Sequence, residues 1–352
     1  MAEYDAIVVG GGPAGLMAAR RLAEGGATTA LLDPKAPWEK PCGGGFSPIA
    51  LTLFPEIGQL RETAREVGRV LLTSAHGVET LLSGGDPYYV LSRLELAQAL
   101  LRSALAAGAS HITERVVSFE REDSGWVVRH TGGIIRGGFL IGADGTSSLV
   151  RRRLLGPFER NDLGVAMGHY VRGCSMTEVR VRFERPEGYS YLFPRKDVAS
   201  LGIGWRASAP GGRRRNARLL ARAQAEWAAG AEVLGHYSHP FPTLVSREAW
   251  AQTRTGEGWA LIGDAAGHVD PVRGEGLVYA LWGASLLAEA VLSGRPGAYE
   301  EAWRGAFGPN LWRKPPKRWV LTTPGLMGTA LLLARPFPKA RAALYRRTQH
   351  HD

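Results

Sequence analysis

Val8-Val9-Gly10-Gly11-Gly12-Pro13-Ala14-Gly15 closes one apolar run, opens an Ala- and Leu-rich one, and decides how the rest of the chain is read. Gly10, Gly12 and Gly15 stand in G-x-G-x-x-G spacing. Around them, Tyr4 to Gly10 reads as a buried parallel strand, Gly15 to Gly25 as a helix and Thr28 to Asp33 as a second strand. In such a βαβ unit Gly10 permits the tight turn, Gly12 lets backbone approach a pyrophosphate, and Gly15 lets the helix sit close to the strand. Asp33 ends the second strand, where an acid accepts hydrogen bonds from ribose hydroxyls. The alternative is a glycine-rich βα turn with no ligand; strand, helix and acid together argue against it.

The chain has 352 residues, so one large α/β domain carrying a second, smaller unit is expected. Hydrophobic residues make up 45% and charged ones 22%, a globular composition rather than a disordered or membrane-spanning one. The longest apolar stretch, Gly325 to Ala334, is about half of a bilayer-spanning length. Cys42 and Cys174 are too few for a disulfide scaffold or an iron–sulfur cluster, and no metal site is expected. A reducing, cytoplasmic setting fits them. The strand pattern begins by Tyr4, so no targeting leader is expected ahead of it. The formal charge is +10 and gathers at the end, where ten basic residues face two acids after residue 300. No nucleic-acid motif accompanies it, and nucleic acid is not an expected partner.

Leu91 to Ala107 reads as a long helix. Val116 to Arg121, Trp126 to His130 and Ile134 to Arg136 read as a β-meander turning at Ser124-Gly125 and Gly132-Gly133, with Phe139 to Gly142 a further short strand. Alternation dominates from Gly164 to Trp205, and Val179-Arg180-Val181-Arg182-Phe183 predicts one buried and one wet face. An inserted antiparallel sheet is expected there. Arg213 to Glu232 reads as a basic helix, Trp259 to Gly263 as a strand and Gly276 to Ser293 as a long apolar helix; Pro315-Pro316 and Pro324 divide the tail into short helical pieces. The expected division is discontinuous: 1-68, 91-157 and 250-294 form the dinucleotide domain, 69-90 and 158-249 a substrate-binding β-sheet domain, and 295-352 a basic helical C-terminal region.

Two further segments place an acid and glycine at a strand end. Leu140-Ile141-Gly142-Ala143-Asp144-Gly145 precedes a helix opened by Val150-Arg151-Arg152. Ala260-Leu261-Ile262-Gly263-Asp264-Ala265-Ala266-Gly267 precedes Pro271-Val272-Arg273-Gly274-Glu275-Gly276-Leu277, which opens the long helix. Taken singly, the first is a turn and the second a helix cap. Together and in this order, the three segments resemble the flavin-binding fold shared by aromatic hydroxylases, geranylgeranyl reductases and flavin-dependent halogenases. The resemblance implies FAD as cofactor on an α/β fold: an FAD-binding Rossmann-like domain with β-meander, an inserted antiparallel-sheet substrate domain and a short helical C-terminal region. It implies cofactor contacts from Gly10, Gly12, Pro13, Ala14 and Gly15, from Asp33, Pro34 and Lys35, from Asp144 and Gly145, and from Gly263, Asp264 and Ala265, with Asp264 on the ribityl chain. Backbone at Gly274, Gly276 and Leu277 would support the pyrimidine side of the isoalloxazine, where a helix N-terminus stabilises negative charge. Arg93 matches an arginine that reaches the phosphates or ribityl, the alternative being a surface arginine, and Val116 falls where backbone meets adenine.

Lys40-Pro41-Cys42-Gly43-Gly44-Gly45-Phe46 resembles the Cys-Gly-Gly segment of geranylgeranyl reductases, which runs beside the flavin; consecutive glycines suit backbone packed on a flat ring. A flexible loop with an incidental cysteine is the alternative. Pro186-Glu187-Gly188-Tyr189-Ser190-Tyr191-Leu192-Phe193-Pro194, followed by Leu201-Gly202-Ile203-Gly204-Trp205, resembles the aromatic strand lining the substrate cavity of these reductases. Tyr189, Tyr191, Phe193 and Trp205 are thus substrate candidates, or else core. Halogenases carry Trp-x-Trp-x-Ile-Pro there, so halogenation is not expected. Glu275 between two glycines, and a short C-terminal end, depart from typical geranylgeranyl reductases.

The implied reaction is reduction of isoprenoid double bonds by hydride from reduced flavin N5, with Cys42 as the candidate catalytic proton donor and His268 and His169 as others. No second strand–glycine–helix unit is seen, so NADPH would bind transiently; a ferredoxin-type donor or reduced quinone is equally compatible. Two alternatives stand beside this: an FAD monooxygenase using NAD(P)H and oxygen, and a flavoprotein electron carrier to a quinone. The expected partner is a hydrophobic isoprenoid or aromatic small molecule. Leu326-Met327 and Leu331-Leu332-Leu333, flanked by Lys314, Lys317, Arg318 and Arg335, have the composition of a peripheral contact with an anionic membrane, or of a solvated tail.

Overall fold

In the computed structural model the described residues are 3–184, 188–210, 212–271, 273–312 and 325–349. Pro186, Glu187, Val272, Lys314, Pro315, Pro316, Lys317, Arg318 and Pro324, singled out above, lie outside them.

The strand Glu3–Val9 carries Ala6, Ile7 and Val8, all fully buried, and a run apolar on both faces belongs between two covering layers. Parallel strands flank it on both sides: Thr29–Leu32, with Ala6 opposite Thr29, and Gly133–Gly142, with Val9 opposite Gly142. In order, the sheet runs Thr255–Gly256, Trp259–Leu261, Gly133–Gly142, Glu3–Val9, Thr29–Leu32, Ser110–Ile112. Gly125–His130 pairs antiparallel with Gly133–Gly142, and Val116–Glu122 with Gly125–His130, which makes the meander. Ile134 to Arg136 and Phe139 to Gly142, expected as separate pieces, form one strand. Gly137 pairs with both Tyr4 and Trp126, and a Cβ there would lie 2.7 Å from Ile7, so the glycines admit a close neighbour without ending the strand.

The helix Pro13–Glu24 starts with proline in its first turn, where no intrahelical donor is lost, and stops at Gly25. It packs against Leu277–Leu292. Ile7, Val9, Leu32, Trp126, Leu140 and Leu261 share one core, each large aliphatic side chain contributing about 1.5–3 kcal/mol on burial.

The chain forms two compact units: Met1–Glu39, Leu94–Glu159 and Pro242–Trp312 make the first, and Lys40–Arg93, Arg160–Phe241 and Arg313–Asp352 the second. This division differs from the expected one. Residues 40–68 go with the second unit, because Gly45–Phe46 and Arg65–Thr73 are strands of its sheet, and the expected C-terminal region is shared between the two.

The second sheet runs Glu232–Pro242, Leu163–Arg172, Val198–Arg206, Gly188–Pro194, Val179–Glu184, Arg65–Thr73, Glu79–Val90, Gly45–Phe46. Val179–Glu184 is parallel to Arg65–Thr73, so the inserted sheet is not purely antiparallel. The helix Gly212–Trp227 covers one face; it is shorter than expected because Gly230 (φ +74°) turns the chain into Glu232–Pro242. Arg182, expected on a wet face, is only 6% exposed. It ion-pairs with Glu226 of that helix and lies 4.8 Å over the Trp227 ring, so a carboxylate and an aromatic face offset part of the cost of burying the guanidinium. Among the described residues no helix is long and apolar enough to cross a membrane.

Candidate functional site

Three strands of the first sheet end side by side, Val9 opposite Gly142 and Gly142 opposite Leu261. Their C-terminal ends carry the three glycine segments, and this edge is where open α/β sheets bind ligands. The segments touch one another. A Cβ on Gly10 (φ +107°) would lie 2.5 Å from the Ala143 carbonyl oxygen, and one on Gly263 (φ +59°) would lie 2.8 Å from Ala14 Cβ. On Gly15 it would stand 1.9 Å from the Gly10 oxygen. A Cβ on Gly12, by contrast, meets nothing within 4 Å. Gly10 and Gly15 therefore close the turn, while Gly12, the N-cap of a 12-residue helix, borders open space. That cradle fits the pyrophosphate of a dinucleotide cofactor.

The acids divide their work. Asp33 accepts the backbone N–H groups of Gly11 (2.6 Å), Lys35 (2.7 Å) and Ala36 (3.0 Å), which ties the second strand to the glycine turn. A carboxylate has about four acceptor positions, so room remains for a ribose hydroxyl. Pro34 and Lys35 beside it are exposed. Asp144 spends its carboxylate locally, on the Ser148 hydroxyl and the N–H groups of Leu149 (2.6 Å) and Val150 (3.3 Å), and so caps the helix Leu149–Leu154. Burial raises its pKa against the pull of those bonds. Gly145 (φ +78°) makes the turn between them. Asp264 lies beside Gly276, whose Cβ would be 3.4 Å from Oδ1. Ahead of Leu277, Arg273 bridges Asp270 (3.0 Å) and Glu275 (3.5 Å) around Gly274 (φ +67°), so the unusual Glu275 helps to hold that loop. Ala265 is fully buried; Arg93, 7% exposed, opens the helix Arg93–Ala106, and Val116 pairs with His130 at the start of the meander.

Two buried arginines support the third segment, a role that nothing in the sequence marks. Arg254 donates to the carbonyls of Ala249 (2.8 Å), Gln252 and Ala266 (2.6 Å), and burial lowers its pKa to about 9. Arg151 donates to the Ala265 carbonyl (3.4 Å) and the Gln252 side chain and lies 3.7 Å over the Phe158 ring.

His268 is not placed as a proton donor. It is fully buried, 4.7 Å from the Trp303 ring and 5.0 Å from Phe307, with neither ring nitrogen hydrogen-bonded. Desolvation, then the charges of Arg254 and Arg304, hold its pKa well below 6.5, so the folded imidazole stays neutral. An unfolded imidazole takes up a proton below about pH 6.5. Stability from this group is therefore complete above that pH and falls by about 1.4 kcal/mol per unit below it. Urea titrations between about pH 5 and pH 7 should show a smaller acid-side loss in His268→Leu than in the parent. Equal losses would sink the assignment.

In the second unit, Cys42 Sγ accepts the Gly44 N–H (3.4 Å), and the Cys42 carbonyl accepts the Ser200 hydroxyl (3.0 Å). The flat ring packed on the consecutive glycines is Phe193: Cβ atoms on Gly43 and Gly45 would lie 2.6 and 2.5 Å from it. Tyr189, Tyr191 and Phe193 stand opposite Gly204, Gly202 and Ser200, so all share one face of the sheet. Trp205 stands opposite Gly188 and packs with Leu201 and Ile203 on the helix-covered face. The four substrate candidates are thus not brought together. Tyr237 joins the aromatic face instead, its hydroxyl 2.8 Å from that of Tyr191 and 2.9 Å from that of Ser200. Burial raises both phenol pKa values, which keeps this hydroxyl chain protonated. Alternation along Glu232–Pro242 was the one sequence signal for Tyr237. His169 lies on the helix-covered side, Nδ1 2.7 Å from Gln224 Oε1, lining a 470 Å³ cavity with Met167 and Leu220; burial lowers its pKa. Among the described residues no group of His, Cys, Asp and Glu is arranged to hold a metal.

Residues 3–294 match the family model of an FAD binding domain. A geranylgeranyl diphosphate reductase of Rhodobacter capsulatus is 31% identical over 323 residues, which cover 86% of this chain and 80% of that protein. A menaquinone reductase of Mycolicibacterium smegmatis is 29% identical over 328 residues, covering 85% and 79%. Among solved structures, a geranylgeranyl bacteriochlorophyll reductase-like protein from Thermoplasma acidophilum aligns with a TM-score of 0.76 at 22% identity, over 98% of this chain and 99% of that one, a likeness of fold.

Proposed function

This chain belongs to the geranylgeranyl reductase family of FAD-dependent oxidoreductases, and from that premise we propose that it reduces isoprenoid carbon–carbon double bonds in a lipid, quinone or pigment. The observation that supports this substrate class is the aromatic face of Tyr189, Tyr191 and Phe193, with Phe193 packed on the backbone after Cys42. An unpolarised double bond offers nothing to hydrogen-bond. Its binding surface must therefore be apolar, and rigid aromatic rings supply contact area at little entropic cost.

When bound, reduced FAD supplies the hydride. The chain's own residues hold that cofactor and manage the proton. Gly10, Gly12, Pro13, Ala14 and Gly15 receive the pyrophosphate on the helix N-terminus, Asp33 with Pro34 and Lys35 takes the adenosine ribose, and Val116 borders adenine. Arg93, Asp264 and Ala265 serve the ribityl and phosphates. Gly145 supplies backbone, and Asp144, whose carboxylate also caps the following helix, stands beside it at the cofactor. Gly263 closes the third turn, and Gly274, Gly276 and Leu277 offer the helix N-terminus to the reduced ring. Cys42, with Gly43 and Gly44, carries the proton donor, its carbonyl fixed by the Ser200–Tyr237–Tyr191 hydroxyl chain. NADPH is the proposed transient reductant. Because the substrate is lipidic, a peripheral membrane contact through the C-terminal region belongs to the same reading.

Anaerobic incubation of the chemically reduced holoprotein with geranylgeranyl lipids tests this directly. Mass spectrometry should find hydrogen added across the prenyl double bonds. Oxygen inserted in air with NAD(P)H, and no hydrogen added, would install the monooxygenase reading in its place.

A further inference from the structure

The helix Leu326–Ala334 contains no charged residue and, Thr329 apart, is apolar all round, a pattern that ordinarily marks a helix buried on every side. Among the described residues only its inner face is covered. Met327, Leu331 and Ala334 are buried, and a Cβ on Gly328 would lie 3.4 Å from the Ser74 hydroxyl. Thr80 Oγ1 donates to the Leu331 carbonyl (3.0 Å), and Arg335 Nε to that of Glu79 (2.7 Å). These bonds fix the helix on the strand Glu79–Val90 and so determine which side looks outward. That side carries Leu326, Leu332 and Leu333, 37%, 52% and 65% exposed, and continues to Phe337 at 61%. The next helix, Pro338–Gln349, is held by Tyr345, fully buried, whose hydroxyl donates to the Val67 carbonyl (3.3 Å). From 325 to 349 the chain has Arg335, Lys339, Arg341, Arg346 and Arg347 and no acid. Arg335 and Lys339, both exposed, stand on either side of Phe337.

A second copy of the chain and a lipid surface are the two occupants this face admits. A two-fold interface would lay the patch on itself, cations against cations with no acid from the segment between them. An anionic bilayer accepts both features at once. We propose that this face docks the protein on an anionic lipid surface, Leu326, Leu332, Leu333 and Phe337 entering the headgroup–acyl boundary while Arg335, Lys339 and Arg346 meet lipid phosphates. The proposal rests on the lipid-substrate reading above and names the surface from which such a substrate is collected.

Flotation of the FAD-loaded full chain with vesicles is the test, using phosphatidylcholine alone or with roughly one third phosphatidylglycerol. Binding to the anionic vesicles is expected, weakened several-fold by about 0.5 M salt. The double substitution Leu333→Glu with Phe337→Glu should reduce it about tenfold or more, with flavin content and turnover of detergent-dispersed substrate unchanged. Failure to bind anionic vesicles, equal binding by the double variant, or loss of a dimer in the variant without any vesicle binding would each overturn the proposal. If vesicle binding behaves as expected and no isoprenoid is hydrogenated, the substrate reading falls and the docking surface stands.

Discussion

Gly15→Ala should yield a protein that purifies colourless, with FAD affinity lowered at least about a hundredfold, some 2.7 kcal/mol or more of binding free energy. The new methyl would stand 1.9 Å from the Gly10 carbonyl oxygen and 3.1 Å from Ala143 Cβ. The first of these atoms is backbone and cannot swing aside. The turn must open, and with it the contact between Gly10 and the Ala143–Asp144 backbone that joins the first two glycine segments. Gly12→Ala supplies the contrast, since Gly12 has φ −73° and ψ 176°, which any residue adopts, and its Cβ meets nothing. The apoprotein should keep its stability to within about 0.5 kcal/mol, while the methyl occupies the space through which a pyrophosphate reaches the helix N-terminus. Flavin titration beside urea unfolding of the apoprotein separates the two effects. Unchanged FAD affinity in Gly12→Ala would remove the phosphate from this helix.

Arg254→Leu should lower the unfolding free energy by about 3–5 kcal/mol and release FAD on mild heating. Its guanidinium donates to three carbonyls, those of Ala249, Gln252 and Ala266, drawn from the two segments that flank the strand Trp259–Leu261. Leucine fills much of the space and leaves the Ala249 and Ala266 oxygens without this donor, while Gln252 keeps the bond from Arg304 (3.0 Å). The Ala266 carbonyl lies two residues from Asp264, so the loosened turn is one that the cofactor reading requires. Arg254→Lys keeps the charge and loses the fork, because an ammonium cannot reach three carbonyls from one planar group. It should recover less than half of the loss. A urea midpoint equal to the parent's for Arg254→Leu would show that these bonds contribute nothing net.

By itself the sequence determined whatever depends on one residue's own backbone. Gly10 and Gly15 were legible because a tight turn and a close helix–strand approach exclude any side chain, and Ala6 to Val8 because a strand buried on both faces must be apolar throughout. Asp33 at the end of the second strand followed from the same local frame. What only the tertiary structure decided depends on which remote segments meet. Trp205 and Tyr191 look alike as aromatic strand residues, but pairing Tyr191 with Gly202 and Gly188 with Trp205 sends them to opposite faces. Arg182 looked solvated until Glu226 and Trp227 came over it from a helix. Asp144 reads as a cofactor contact from its strand-end position, and only the structure shows that its carboxylate also caps the helix just after it. Arg151 and Arg254 carried no signal for their roles, and Tyr237 only the alternation of its strand, since a buried hydroxyl or guanidinium is defined by its partners. Register and packing supply those partners, and in a β-sheet register is a property of two strands at once, which neither strand writes in its own sequence.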